Sequence, residues 1–363
     1  MNKNSISASQ LFFTILQTQI GIGILGLPYN LFKTAHTDGW ISMLISGCII
    51  QVITLFHWGL THRLPGLTLY QMTSKLLGKW GGNFLNIGYV FYYIIVSSVI
   101  TVLYVNVLKR WLYHLTPAYV LVFLLVVIAL YFAKENVRNI GRFFTIVSVF
   151  LIILVLLISN AYKEADVRYL FPIGHSGIRN ILLASKEGSI SMLGFEAILI
   201  LAPFVKAKST MTLKMVMLSN CIVTVLYVYI IIACYLFFSP DEILIVPEPV
   251  LYILKATQNS VIERIDLVFI TFWIISVITS LIMYVYISSV GMQEIFKKKT
   301  HRPFVPIVLI FVTGLSIYFS KTDNLVAALS QATNYLIYVF IFCIPICLLI
   351  LSWIRKGTVK NEA

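Results

Sequence analysis

Stretches of apolar residues long enough to cross the hydrocarbon core of a bilayer recur ten times along this 363-residue chain. They lie at about 9–32, 39–61, 84–107, 116–133, 142–160, 187–205, 212–238, 265–291, 304–320 and 331–354. Hydrocarbon cannot hydrogen-bond a peptide group, so a chain within it must satisfy its own backbone as helices or as a closed barrel. Runs of this length fit helices. The predicted fold class is therefore an all-α polytopic membrane protein, with residues 1–363 forming a single membrane domain. Composition agrees: 59% of residues are apolar and 11% charged, against about one quarter charged in a soluble domain.

The first stretch contains Gln17-Thr18-Gln19-Ile20-Gly21-Ile22-Gly23-Ile24-Leu25-Gly26-Leu27-Pro28. A lipid-facing helix has no use for these glycines and this proline, which permit unusual backbone angles and remove a donor. A helix interrupted here frees backbone groups that protein, water or a ligand must satisfy. The segment is thus a candidate binding element, with close helix packing as the alternative use of its small residues.

A second interruption is predicted in the sixth stretch, at Gly188-Ser189-Ile190-Ser191-Met192-Leu193-Gly194-Phe195-Glu196. Glu196 is the acid set well inside an apolar run, where an ionised carboxylate must face a cavity, find a partner or carry a proton. A structural acid bonded to neighbouring backbone is the alternative. Interruptions in stretches one and six are corresponding positions of a five-plus-five arrangement, 9–160 and 187–354. An odd number of spans per half starts the second half from the opposite side of the membrane. The expectation is ten transmembrane helices in a five-plus-five inverted repeat, with broken helices one and six meeting near the midplane. There the amino end of a half-helix suits a carboxylate, while Glu196 and freed carbonyls suit an ammonium group. An amino acid or another small polar solute is the implied ligand.

Charge gives the orientation. With the amino terminus inside, 17 of the 27 lysines and arginines fall on the cytoplasmic side, including Lys3, Lys356 and Lys360. Both termini are predicted to be cytoplasmic. The formal +13 is spread over the inter-span loops and does not indicate a nucleic-acid partner. Cys48, Cys221, Cys234, Cys343 and Cys347 all lie in apolar stretches, so they read as buried small hydrophobes and neither a disulfide framework nor a metal site is indicated. No nucleotide loop, spaced histidine cluster or nucleophile–base set appears, so neither an enzyme nor a cofactor is expected. Ser239-Pro240-Asp241-Glu242 reads as a capped helix start, and 67–77 as a short amphipathic helix at the inner surface.

The opening run from Leu11-Phe12-Phe13 through Gly26-Leu27-Pro28, the later Gly194-Phe195-Glu196 and the ten-span frame resemble the spore germination permease family. That family supplies the polytopic B-type subunit of nutrient germinant receptors and is related to the amino acid–polyamine–organocation transporters. The resemblance implies a place in the inner membrane of the spore, beside a larger membrane subunit and a lipoprotein subunit. It also implies recognition of a small nutrient such as an amino acid. By family carry-over Gly21 and Gly23 correspond to the unwound part of the first span, and Gly194, Phe195 and Glu196 to the break in the sixth; Thr18 and Ile22 beside the first break are further candidate ligand-binding residues. Transporters of the wider superfamily place ligand-facing residues on spans three and eight. Here those spans offer Tyr93 and Ser97, beside Tyr92 and Ser98, then Ser276 and Thr279, beside Thr271 and Ser280. Packing, or a hydroxyl bonded to its own helix carbonyl, is the bland alternative for each. Gln331, Asn334 and Tyr335 could line an entrance or cap span ten. The polar cavity expected from these residues serves a receptor subunit, an amino acid permease with proton coupling through Glu196, or part of an ion-conducting path. The resemblance favours the receptor.

Overall fold

The computed structural model describes residues 5–257 and 264–355; Lys3, Lys356 and Lys360 lie outside the described residues. The described chain is almost entirely helical. Helix α1 (Ala8–Gln19) ends at the first break, a 3-10 turn at Ile22–Ile24 follows, and α2 (Leu27–Ala35) resumes. Next come α3 (Gly39–Arg63), α4 (Leu69–Trp111), α5 (Ala118–Ala133), α6 (Val137–Val147) and α7 (Val149–Ile158). The second break separates α8 (Gly177–Ser191) from α9 (Ile198–Leu201). Then follow α10 (Ser209–Phe237), α11 (Pro240–Ile243), α12 (Pro249–Ala256), α13 (Ile265–Ile295), α14 (Phe304–Phe319) and α15 (Asp323–Ile337). A π-helical turn, Tyr338–Cys343, leads into α16 (Ile344–Ile354).

Local chemistry sets several of these ends. Ser7 with Gln10, Thr68 with Gln71, and Ser239 with Glu242 form capping boxes, each satisfying otherwise orphaned amides of a first turn. The last is the capped start expected from the sequence, and the Ser239 amide and hydroxyl hold the Glu242 carboxyl below its ordinary range. The helix expected over 67–77 is the start of α4, which bends at Gly78, where φ is +78°. Its apolar face is not spread on lipid. Tyr70 is buried and donates to the Ile287 carbonyl of α13 at 3.0 Å.

The expectation of ten spans in a five-plus-five inverted repeat is corrected here. Among the described residues six helical lengths are long and apolar enough to cross a membrane, or seven if the bent pair Gly177–Ser191 and Phe195–Phe204 is one span. Three of the expected ten fall short for physical reasons. After the first break α2 does not complete a span with α1; it continues with α3 as the apolar length Leu27–Arg63. Helices α5 and α14 have 16 residues each, about 24 Å of rise against a hydrocarbon core of about 30 Å. Both breaks nevertheless occur where the sequence put them, and the second bends its helices by 51°.

The centre of the bundle is the long pairing of α4 with α13, the two most buried of the long helices. Helix α3 packs on α8 and α10, and α1 runs along α10 and α13. Large apolar residues on outward faces, such as Phe84, Phe91, Phe123, Ile152, Phe311 and Ile350, are exposed, as a lipid-facing surface requires. Four of the five cysteines share that exposed surface and only Cys234 is buried, so the expectation of buried thiols holds for one of them.

Asp38 ties the segment before α8 to the bundle. It is fully buried, and its carboxylate accepts from the Gly174 amide at 2.6 Å, the Ser176 amide at 3.0 Å and the Ser176 hydroxyl at 2.6 Å. Asp38→Ala strands these donors and is expected to lower stability by about 2–4 kcal/mol. Thermal unfolding in detergent measures the loss, and limited proteolysis should show earlier cleavage between residues 165 and 177.

Candidate functional site

The two breaks lie against each other. Gly194 has φ +127°, and a Cβ there would sit 2.7 Å from the Thr18 carbonyl carbon and 2.8 Å from the Gln19 amide nitrogen. Only glycine gives both that backbone angle and that approach. The Gln19 side chain crosses the contact, its Nε2 donating to the Met192 carbonyl at 2.8 Å. The Tyr227 hydroxyl lies between the Gln19 and Ser191 carbonyls, at 3.0 and 3.3 Å.

Other carbonyls freed at the end of α1 also lie within reach of protein donors. Ser280 Oγ of α13 is 3.0 Å from the Thr18 carbonyl, Thr279 Oγ1 is 3.3 Å from the Gln17 carbonyl, and Trp273 Nε1 donates to the Gly21 carbonyl at 3.2 Å. A Cβ on Gly21 would come within 2.7 Å of Ser280 Oγ, so the missing side chain is what admits that hydroxyl. The first break is thus braced by side chains of α10 and α13.

Glu196 is fully buried and locked. Its Oε2 accepts from the Gly194 amide at 2.7 Å, and its Oε1 from the Tyr284 hydroxyl at 2.9 Å. The Tyr284 ring stacks on Tyr93, with centroids 5.9 Å apart. Phe195 stacks on His57 at 5.3 Å, and His57 Nε2 lies 2.9 Å from the Ile341 carbonyl of the π-helical turn. That turn frees carbonyls much as a break does. Tyr89 satisfies the one at Phe340.

Beside this braced junction lies a cavity of about 310 Å³ between α4, α8, α13, α15 and the linker from α1 to α2. Of the expected site residues, Thr18, Gly21, Ile22 and Gly23 line it. Tyr93, Ser97, Gly194, Phe195, Glu196, Ser276 and Thr279 do not; all are buried behind the wall. Glu196 reaches the cavity only through Tyr284, which does line it. Ser97 Oγ bonds the Tyr93 carbonyl of its own helix, the bland alternative. The Ser276 carbonyl lies 2.8 Å from Thr279 Oγ1 and 3.1 Å from Ser280 Oγ, and so competes with the α1 carbonyls for the one proton on each hydroxyl.

The sequence reading missed Gln19, Glu187, Ser191 and Tyr284, and had only the broader mention of Ser280 and Asn334; all six line the cavity. The sixth apolar stretch starts at Glu187, yet α8 begins at Gly177, which puts this second acid within the helix and on the cavity wall. The legible signal was polarity inside an apolar run: Gln17 and Gln19 precede the glycines, and Glu187 stands four residues before Ser191. Among the described residues no group of three or more histidine, cysteine, aspartate or glutamate side chains could hold a metal ion.

Glu196→Ala removes the acceptor of two buried donors and is expected to cost about 3–4 kcal/mol, whereas Tyr284→Phe, which deletes one hydroxyl, costs about 1–2 kcal/mol. Thermal unfolding of both variants in detergent checks the order.

The sequence model of the family described as spore germination protein matches residues 5–324. Among curated relatives, the spore germination protein GerQB of Bacillus cereus is 26% identical over 339 residues, covering 93% of this chain and 92% of its own. Spore germination protein A2 of Bacillus subtilis (strain 168) is 27% identical over 353 residues, with 94% of each chain covered. Spore germination protein YndE of the same strain is 24% identical over 363 residues, with 98% of each covered.

Proposed function

The chain belongs to the spore germination protein family, and on that premise we propose that it is the membrane subunit of a nutrient germinant receptor, binding a small amino acid in the cavity between the chain breaks. The observation that carries this reading is the cavity itself. Its walls combine the Gly21–Gly23 backbone with hydroxyl, amide and carboxyl side chains from α1, α2, α8, α13 and α15, and one apolar face on α4. A space of about 310 Å³ is at the small end of the range for ligand sites, which suits a single amino acid.

Binding acts on the state of the protein only if the nutrient prefers one arrangement of the walls over another. The walls here belong to both sides of a break, so a ligand touching the α1–α2 linker and α8 together has such a preference. In this reading both termini face the cytoplasm, as the lysine and arginine distribution supports. A larger membrane subunit and a lipoprotein subunit complete the receptor in the spore inner membrane.

Gly23→Leu fills the cavity from the linker; the Cβ alone lies 3.2 Å from that of Ser191. Spores carrying it at wild-type levels are expected to lose nutrient-triggered germination, and the purified variant in lipid nanodiscs to lose saturable binding of labelled amino acids. An unchanged nutrient response would refute the site. Accumulation of label against a gradient, by vesicles holding this chain alone, would replace the receptor reading with uptake.

A further inference from the structure

The apolar length Asp323–Ile354 is interrupted for a reason written in its sequence. Pro345 has no amide hydrogen. It gives no bond to the Ile341 carbonyl four residues back, as an α-helix requires, nor to the Phe340 carbonyl five back, as a π-helix does. In the π-helical turn Tyr338–Cys343 the Ile344 amide donates to the Val339 carbonyl, and so not to Phe340. Two successive carbonyls are therefore left to side chains. The Tyr89 hydroxyl donates to the Phe340 carbonyl and His57 Nε2 lies against that of Ile341, each at 2.9 Å. The two contacts are not equivalent. Ile341 lacks a donor from residue 345 in an α register as well, whereas Phe340 regains the Ile344 amide there. The Tyr89 bond thus favours the π register over the α, and its loss favours the α.

Both side chains also lead to the second break. The His57 ring stacks on Phe195, with planes 15° apart. Tyr89 stacks on Tyr93 at 6.2 Å, Tyr93 on Tyr284 at 5.9 Å, and Tyr284 donates to Glu196 at 2.9 Å. Phe340 and Ile341 are consecutive, as are Phe195 and Glu196, so these contacts close a ring between turn and break. His57, Tyr89, Tyr93, Tyr284, Phe195 and Glu196 are all buried. A close-packed interior has no slack to absorb the displacement of one of them. The Phe340 ring itself lies against Gly88 of α4, where a Cβ would meet it at 3.1 Å.

We propose that the π-helical turn is a register switch coupled to the second break through His57 and Tyr89, and that it sets which face of α15 walls the cavity. Coupling between sites needs an element with two discrete arrangements, and the turn supplies them. A π turn holds one residue more than an α-helix over the same rise. With α16 fixed, conversion to α advances α15 by one residue, about 1.5 Å along its axis and about 100° around it. The wall positions of Ser330, Thr333, Asn334 and Ile337 then pass to Gln331, Asn334, Tyr335 and Tyr338. In the π register Tyr335 is 76% exposed, on the outward face. The switch goes beyond the receptor reading and holds whatever the cavity binds.

The test uses the full chain in lipid nanodiscs, with its five cysteines replaced by alanine and one cysteine returned as Ser330→Cys or Tyr335→Cys. The probe is a charged, water-soluble methanethiosulfonate reagent, which modifies a thiol facing an aqueous cavity and spares one facing lipid. Ser330→Cys is expected to react at least about tenfold faster than Tyr335→Cys, since an ionised reagent does not enter hydrocarbon. Adding Tyr89→Phe is expected to narrow that ratio about tenfold, the weight of one buried hydrogen bond, by raising the Tyr335→Cys rate. Phe195→Leu keeps an apolar residue but unstacks His57, and is expected to move the ratio the same way. Gly88→Ala presses on the Phe340 ring without removing a hydrogen bond, and tests the switch independently of the tyrosine variant. A ratio within twofold of its starting value in both Tyr89→Phe and Gly88→Ala would overturn the switch. Equal acceleration at both cysteines would also overturn it, because a general loosening of α15 exposes both faces. A ratio moved by Tyr89→Phe and not by Phe195→Leu would uphold the register change and overturn its coupling to the second break.

Discussion

A carbonyl in hydrocarbon must find a donor, and the last turn of α1 releases several at once. The fold around the first break follows from meeting that demand. Ser280, Thr279 and Trp273 come from α13, Tyr227 comes from α10, and each is close enough to a freed oxygen to donate to it. Helices α10 and α13 are therefore bound to α1 by polar contacts as well as by packing. Glycine at 21 and 194 is the steric condition for this, because side chains there would push the donors and the facing backbone away.

Glu196 illustrates how one observation has two physical outcomes. An acid deep in an apolar run signals a polar environment, and it has one here. That environment is a structural lock, made of the Gly194 amide and the Tyr284 hydroxyl, with a ring of aromatic side chains behind it. One layer nearer the cavity, Tyr284, Gln19 and Glu187 are among the residues that line it. A buried charge and a binding charge have the same sequence signature, and only the position of their partners separates them.

The membrane class, both chain breaks and the cap at Ser239 were legible because each depends on local composition or on a short motif. The number of spans was not. Hydropathy cannot tell that α2 continues toward α3 as one apolar length instead of closing a span with α1, nor that α5 and α14 stop at 16 residues. The site was legible in part. Gly21, Ile22 and Gly23 announce themselves as backbone that cannot remain helical, and they do line the cavity. Glu187 did not stand out, because its significance depends on where α8 begins, ten residues earlier, in a segment that reads as loop. Ser97 and Ser276 looked equivalent to Ser280 in sequence, and only helix rotation distinguishes them.

Far from the cavity, Ile6 and Val205 form a parallel β-bridge, with the Ile6 amide donating to Phe204 and the Lys206 amide to Ile6, both at 2.9 Å. This pins the start of α1 to the end of the run that begins at the second break. Gln19 and Met192 pin the other end of α1 beside the same break. A body pinned at two separated points can no longer swivel about either one. Helix α1 is tied at its start to the end of the Phe195–Phe204 run and at its end to Met192, on the other side of Gly194, so it straps both sides of the second break. A change of bend at Gly194 must therefore stretch or break one of these two ties.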